Sequence, residues 1–434
     1  MSFTPVTVIY AVAIGVIWTL YIVARRRAEA RSRATKEAAA EAGLLEPASL
    51  HPKVDPAKCL GCGACVRACP EGNILGLING KAELVEPTHC IGHGACREAC
   101  PYDAITLVFG TERRGVDIPH VRADFQTNVP GIFIAGELGG MGLIRNAIEQ
   151  GRQAIESIRK LPGRRPLQGY DVIIVGAGPA GFSASLAAMK HKLRFLTIEQ
   201  DSFGGTVAHY PRGKVVMTAP ADLPLGGKLK FTTVSKEKLL KFWKDVARKT
   251  GLKIKYGEEV KSIAQRGSAF EVRTTRGSYL TASVLLAIGR RGTPRKLDVG
   301  GEDQAKVVYR LINPQQYRKQ HVLVVGGGDS ALEAAASLAK QPGTTVTLSY
   351  RRKAFSRAKV KNREEVETAR KSGRLNILLQ SNVKGIGRHD VEIERDGRRM
   401  RLKNDAVIVC AGGLPPTAFL ESIGIEVETK YGTA

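Results

Sequence analysis

At 434 residues the chain is too long for one ordinary core, so two or three domains are expected. A composition of 43% hydrophobic and 25% charged residues excludes disordered and fibrous classes. The formal charge of +25 would suit nucleic acid, an anionic membrane or acidic partners. No nucleic-acid module is visible, and a membrane surface with phosphate-bearing cofactors accounts for the charge more simply. Of the eight cysteines, all but Cys410 fall between Cys59 and Cys100. Such clustering reads as metal ligation in a reducing compartment, not as a dispersed disulfide framework.

Phe3 to Ala24 carries no charged residue. As a helix it would extend about 33 Å, enough to cross a bilayer's hydrocarbon core. Tyr10, Trp18 and Tyr21 suit the interfaces. A buried core helix would not run directly into Arg25, Arg26 and Arg27, and a signal peptide would carry basic residues before a shorter apolar run. Lys and Arg lie only after the span, at Arg25, Arg26, Arg27, Arg31, Arg33 and Lys36. The expectation is a single-pass anchor in a bacterial inner membrane with the catalytic part cytoplasmic. Residues 25–52 form a basic linker whose Ala-, Arg- and Glu-rich start continues as a solvated helix or stiff spacer near anionic headgroups.

Cys59, Cys62, Cys65, Cys69 and Pro70 form a full C-x2-C-x2-C-x3-C-P run. Cluster iron takes soft thiolates, and short spacing lets three of them wrap one cube. A zinc site would want two separated ligand pairs, and the proline has no role there. The frame repeats at Cys90, His93, Cys96, Cys100 and Pro101, with His93 in place of the second cysteine. Residues 53–108 therefore resemble bacterial ferredoxins with two 4Fe–4S clusters. The resemblance implies crossed ligation: Cys59, Cys62, Cys65 and Cys100 hold one cluster, and Cys90, His93, Cys96 and Cys69 the other. Three readings of His93 stay open. It ligates a 4Fe–4S cluster, it stands idle beside a 3Fe–4S cluster, or another group such as water fills the position.

The run 171–175 (DVIIV) reads as a buried strand entering Gly176, Gly178, Pro179, Ala180 and Gly181, then an Ala-rich helix. Glu199 ends the following strand, about 20 residues on, where an acid accepts from ribose hydroxyls. A second unit follows the strand 321–325 (HVLVV), with Gly326, Gly328, Asp329, Ser330 and Ala331. Its second strand ends at Arg351 and Arg352, with Arg357 beyond, and guanidinium groups match the 2′-phosphate of NADPH.

Two such units resemble the low-molecular-weight thioredoxin reductase family over residues 167–434. Gly204, Gly205 and Thr206 with the HYPRGKVVMT stretch look like its bacillithiol-disulfide reductase branch, and Gly289 opens what resembles the crossover between domains. Two departures stand out. No cysteine pair precedes the second glycine loop, so dithiol chemistry is not expected, and Cys410 reads as a small buried residue in a strand. The flavin-capping segment that closes such reductases is found upstream, at Thr127 to Gly140, with Gly136 and Glu137 at the flavin side by resemblance. The flavoprotein reads as circularly permuted.

The expected architecture is a single transmembrane helix (3–24), the linker (25–52), an α+β two-cluster ferredoxin module (53–108) and then an α/β flavoprotein of thioredoxin reductase type. The flavoprotein divides into the permuted capping segment (109–166), an FAD-binding domain (167–290), an NADPH-binding domain (291–415) and a return to the FAD domain (416–434). The function implied is electron transfer between NADPH and two clusters through FAD, to or from a membrane cytochrome, a quinone-reactive subunit or a ferredoxin. A homodimer and membership of a larger complex both remain open. The rival readings are a low-molecular-weight disulfide reductase and a non-catalytic assembly subunit. Rotation of the NADPH domain would need a hinge near 291–294 and 411–416.

Overall fold

An apolar run followed by residues rich in Ala, Arg and Glu has no helix breaker between its halves. The computed structural model accordingly carries one helix, α1 (Pro5–Glu41), through both. The structure describes residues 5–41, 45, 47, 50–70, 72–87, 90, 92, 94–112, 115–140, 142–161, 169–210, 212–217, 221–229, 233–290, 292–356 and 358–433. His93 and Arg357 lie outside the described residues. The chain divides into two compact units, Met1–Gly115 with Ala354–Lys359 and Tyr431–Ala434, and Val116–Lys353 with Val360–Lys430.

In the first unit, Ile9, Tyr10, Ile14, Ile17, Trp18 and Leu20 of α1 are all more than half exposed. After α1 come β1 (His51–Val54), α2 (Ala64–Ala68), β2 (Leu75–Ile78), β3 (Lys81–Leu84), α3 (Ala95–Glu98) and β4 (Ile105–Val108). β1 pairs antiparallel with β4, His51 opposite Val108 and Val54 opposite Ile105. β2 and β3 form a hairpin whose turn is Asn79-Gly80, both at positive φ (51° and 71°), as a two-residue hairpin turn demands. The stretch continues as the expected helix, and its side chains also bond the hairpin. Glu29 accepts from the Asn79 backbone N–H at 2.9 Å, Arg33 bonds the Asn79 side chain, and Lys36 pairs with Glu83 at 2.5 Å.

The second unit opens with β5 (Val116–Pro119), β6 (Ile132–Ile134), α4 (Ile144–Arg159), β7 (Tyr170–Val175), α5 (Pro179–Lys190) and β8 (Phe195–Glu199). Its main sheet runs Lys255–Tyr256, β8, β7, Ser278–Leu286, Ala269–Thr274, Val260–Arg266, and β6 joins Ser278–Leu286 in parallel. The central parallel strands are covered on both faces, which is why Val172, Ile173 and Ile174 are wholly buried. α4 buries Ala147, Ile148, Gly151, Ala154, Ile155 and Ile158, one stripe at helical spacing. The last strand, Val427–Lys430, pairs antiparallel with β5, Lys430 opposite Val116. The chain's final strand thus lies beside the segment that opens this unit.

A second parallel sheet runs Val307–Val308, Ala406–Val409, His321–Val325, Thr345–Tyr350, Leu375–Leu379, beside a three-stranded meander of 381–403. Between the two sheets the chain crosses twice, and the crossings pair as a short antiparallel ribbon, Thr293 opposite Leu414 and Pro294 opposite Gly413.

α4 meets α5 at Gly151, where an added Cβ would strike the backbone carbonyl of Ala180. Gly151→Ala should therefore lower the unfolding free energy by about 1–3 kcal/mol, the usual cost of overpacking. Urea unfolding followed by the fluorescence of buried Trp243 measures it. A change under about 0.5 kcal/mol would mean that the helices part freely.

Candidate functional site

The cysteine runs fold as a repeat. Gly61 and Gly92 occupy matching places, and each is closed to a side chain. A Cβ on Gly61 would strike the Gly80 carbonyl, and one on Gly92 would lie 2.6 Å from that of Leu50. Cys59, Cys62 and Cys65 line an open cavity, and the fourth thiol on its wall is Cys100, from the second run. Burial pushes the Cys65 thiol up to about 11, and the nearby Cys59, Cys96 and Cys100 add to the rise. Burial likewise lifts Cys96 to about 11, and there Cys90 and Cys69 add to it. Two groups of thiols thus stand together, each drawing one member from the other run. Buried thiolates so disfavoured need a cation at hand, and soft iron meets that need. Lys81 Nζ donates to the Cys59 carbonyl at 2.6 Å, and the Ala82 N–H points at Cys59 Sγ at 3.4 Å.

In the second unit β7 runs into Gly176, and Gly178 and Pro179 open α5. Glu199, 7% exposed, accepts from the Ala177 N–H at 2.7 Å and the Asp201 N–H at 2.9 Å. Burial nevertheless pushes its carboxyl up. The turn at Gly204, Gly205 and Thr206 lies on the loop: Gly204 N–H donates to the Ala177 carbonyl at 3.0 Å, and a Cβ on Gly205 would sit 2.9 Å from Gly178 Cα. Gly136 comes to the same place, a Cβ there lying 3.0 Å from that of Ala180, and its N–H donates to Gln150 of α4 at 2.8 Å. Glu137 starts a short 3-10 turn and faces the guanidinium of Arg290, which follows Gly289 and donates to the Asp117 carbonyl at 2.9 Å. The structure therefore gathers residues 136–137, 176–181, 199 and 204–206 around one loop. That loop has the backbone turn and buried acid that suit a dinucleotide's pyrophosphate and ribose. Gln150 and Asp117 carried no motif in the sequence.

The second loop is built likewise. Gly326 has φ 145°, Gly328 precedes the helix Asp329–Ala339, and Asp329, Ser330 and Ala331 form its first turn. Tyr350, which sequence reasoning passed over, lies against Gly327, where a Cβ would strike its ring. Arg351 and Arg352 follow it, exposed, with no ion pair among the described residues. Asn362 holds Asp329 at 2.7 Å and Glu333 at 3.2 Å. The halves of this unit also touch through side chains that no motif marks. Lys214 Nζ meets Glu333 at 2.6 Å, and Arg310 meets Asp201 at 3.1 Å and His209 at 2.6 Å.

Residues 173–433 match the family described as pyridine nucleotide-disulphide oxidoreductase, and residues 51–101 match a 4Fe-4S dicluster domain. Bacilliredoxin reductase Bdr of Bacillus subtilis is 27% identical over 268 residues, covering 60% of this chain and 82% of its own. A ferredoxin--NADP reductase of Ignicoccus hospitalis is 27% identical over 274 residues, covering 60% and 83%. Among solved structures, bacillithiol disulfide reductase Bdr from Bacillus cereus superposes with a TM-score of 0.53 at 26% identity, covering 60% of this chain and 82% of that one. The flavoprotein half thus has a thioredoxin reductase-type fold, and the half before it is a ferredoxin domain. With both glycine loops and the thiol cavity in place, the chain is an oxidoreductase that belongs to the pyridine nucleotide-disulphide oxidoreductase family and carries a 4Fe-4S dicluster domain.

Proposed function

We propose that the protein is a membrane-anchored oxidoreductase that moves electrons between NADPH and two iron–sulfur clusters through FAD, to or from a redox partner at the membrane. The observation that carries this reading is the thiol cavity shared by Cys59, Cys62, Cys65 and Cys100 in a chain whose flavoprotein half holds one cysteine, Cys410. When bound, FAD supplies the step between two-electron hydride chemistry and one-electron cluster chemistry. A relative named for ferredoxin and NADP supports it; here the ferredoxin module is part of the same chain, at high effective concentration.

The residues divide the work as follows. Gly176, Gly178, Pro179, Ala180 and Gly181 cradle the FAD pyrophosphate, and Glu199 takes its ribose hydroxyls. Gly204, Gly205, Thr206, Gly136, Glu137 and Gly289 line the flavin side. Gly326, Gly328, Asp329, Ser330 and Ala331 hold the NADPH pyrophosphate, while Arg351, Arg352 and Arg357 receive its 2′-phosphate. Cys69, Cys90, His93 and Cys96 ligate the second cluster. On this reading residues 109–166 hold the flavin-capping piece, placed before the fold it completes. The pairing of β5 with Val427–Lys430 supports that reading, because those strands would be consecutive in the unpermuted order. The ribbon of Thr293–Pro294 with Gly413–Leu414 is the hinge about which the NADPH domain turns. The anchor is the apolar part of α1, exposed along its length.

A second reading, a disulfide reductase, is favoured by the likeness to the Bdr proteins. Anaerobic mixing with NADPH separates the two. Flavin absorbance should bleach first and the broad visible cluster absorbance after it; clusters that stay oxidised beside reduced flavin would favour disulfide reduction. Arg351→Ala with Arg352→Ala should raise KM for NADPH by about 10-fold or more and leave KM for NADH nearly unchanged, since each charge-assisted bond contributes about 1.5–3 kcal/mol. Equal effects on both nucleotides would remove the 2′-phosphate assignment. A neutral imidazole in place of a thiolate leaves one cluster less negative, so two midpoints are expected, and His93→Cys should lower the higher one. A potentiometric EPR titration unaltered by that substitution would remove His93 from the ligand set.

A further inference from the structure

The two thiol groups sit at opposite ends of the β1–β4 pair. The Cys59 loop follows the Val54 end, where the Asp55 N–H donates to the Ala104 carbonyl and the Cys59 N–H to that of Asp55. The Cys90 loop packs at the other end, with Cys90 Sγ 3.8 Å from the Leu50 carbonyl and a Cβ on Gly94 3.3 Å from Leu107. Four residues of strand separate them, about 10 Å.

The ends differ in their relation to α1. The hairpin turn Asn79-Gly80 touches both the helix and the Cys59 loop. On one side it meets Glu29 and Arg33. On the other, Gly80 backs Gly61, and the next residues, Lys81 and Ala82, bond Cys59 itself. Glu29 and Arg33 lie about 7 and 14 Å along the helix from Ala24, the end of the apolar run. Each headgroup layer is about 5–8 Å deep, and tilt only shortens the climb. The turn therefore stands at the outer face of the headgroups. Glu83, in the second strand of the hairpin, lies further out, because Lys36 reaches it. Around the Cys59 cavity the surface is open and partly apolar, with Leu60 64% and Tyr102 46% exposed and Cys62 also exposed.

We propose that the Cys59, Cys62, Cys65 and Cys100 site is the module's membrane-side electron port, held at headgroup level by α1. Its partner is a one-electron redox centre of a membrane-embedded protein, with Leu60 and Tyr102 at the contact. One electron crosses per encounter, the donor losing what the acceptor gains, and no bond forms or breaks. A soluble ferredoxin would have to compete with the bilayer for that face. The inference rests on the anchored reading of α1.

The test uses the full chain, reconstituted in vesicles containing a lipid whose headgroup chelates a paramagnetic lanthanide. Flotation comes first: a chain that fails to float with the vesicles overturns both the anchoring and the port. In floating protein, the lanthanide should raise the EPR half-saturation power of one reduced cluster several-fold more than that of the other. Lys81→Met, which removes a cation beside Cys59 without touching a ligand, marks the port's signal by lowering its midpoint; Cys62→Ser marks it independently through altered g values. The marked signal should be the strongly relaxed one. Stronger relaxation of the unmarked signal, or equal relaxation of both, overturns the port while leaving the anchor and the NADPH reading intact.

Discussion

The flavoprotein fold depends on one close approach. At Gly151 the backbone of α4 comes within reach of the Ala180 carbonyl, a distance that any side chain at that position would forbid. Through it the segment 132–159, which precedes the first glycine loop in sequence, is packed onto the helix that follows that loop. β6 adds itself to the main sheet in the same register step, Val284 opposite Ile132. Once α4 is seated, Gln150 can satisfy the Gly136 N–H, and Gly136 reaches Ala180. The contact joins two segments that the first glycine loop separates in sequence.

The same economy of charge governs both cofactor regions. The polar groups of each are placed where water cannot serve them. Cys65 and Cys96 are pushed up by burial and by neighbouring thiols, a cost that a soft cation among them would relieve. Glu199 is pushed up by burial even with two backbone N–H groups on it, so ribose hydroxyls donating to it would relieve the same cost. Arg351 and Arg352, by contrast, stand in solvent, where they can meet a dianion without prior desolvation. The buried sites suit groups that stay, and the exposed one a nucleotide that comes and goes.

Much of this was legible in the sequence because short motifs dictate local backbone. The two cysteine runs, both glycine loops, Glu199 and the TNVPGIFIAGE stretch all announce geometry within a dozen residues. The crossed ligation by Cys100 came from resemblance; in the structure Cys100 lines the same cavity as Cys59, Cys62 and Cys65. What the sequence did not show depends on which surfaces meet. The basic stretch after the apolar run looks like a solvated spacer, since Glu29, Arg33 and Lys36 are ordinary surface residues until Asn79 and Glu83 face them. Tyr350 reads as the end of a strand, and only the fold lays it on Gly327. Lys214 and Glu333 lie in different halves of one unit, and no local pattern links them.

Those last contacts bear on motion. The two halves of the flavoprotein are tied by Lys214–Glu333 and by Arg310 with Asp201 and His209, all at least partly solvated. Such pairs contribute about 0–1 kcal/mol each, so breaking them is a small step on the scale of a domain's stability. The covalent link is a two-stranded ribbon of two residues a side, in which Gly292 leaves no room for a Cβ against Leu414. A ribbon so short would fix a pivot, and ties so weak would leave an angle free. A nicotinamide domain that turned toward a flavin would need a fixed pivot and weak ties together.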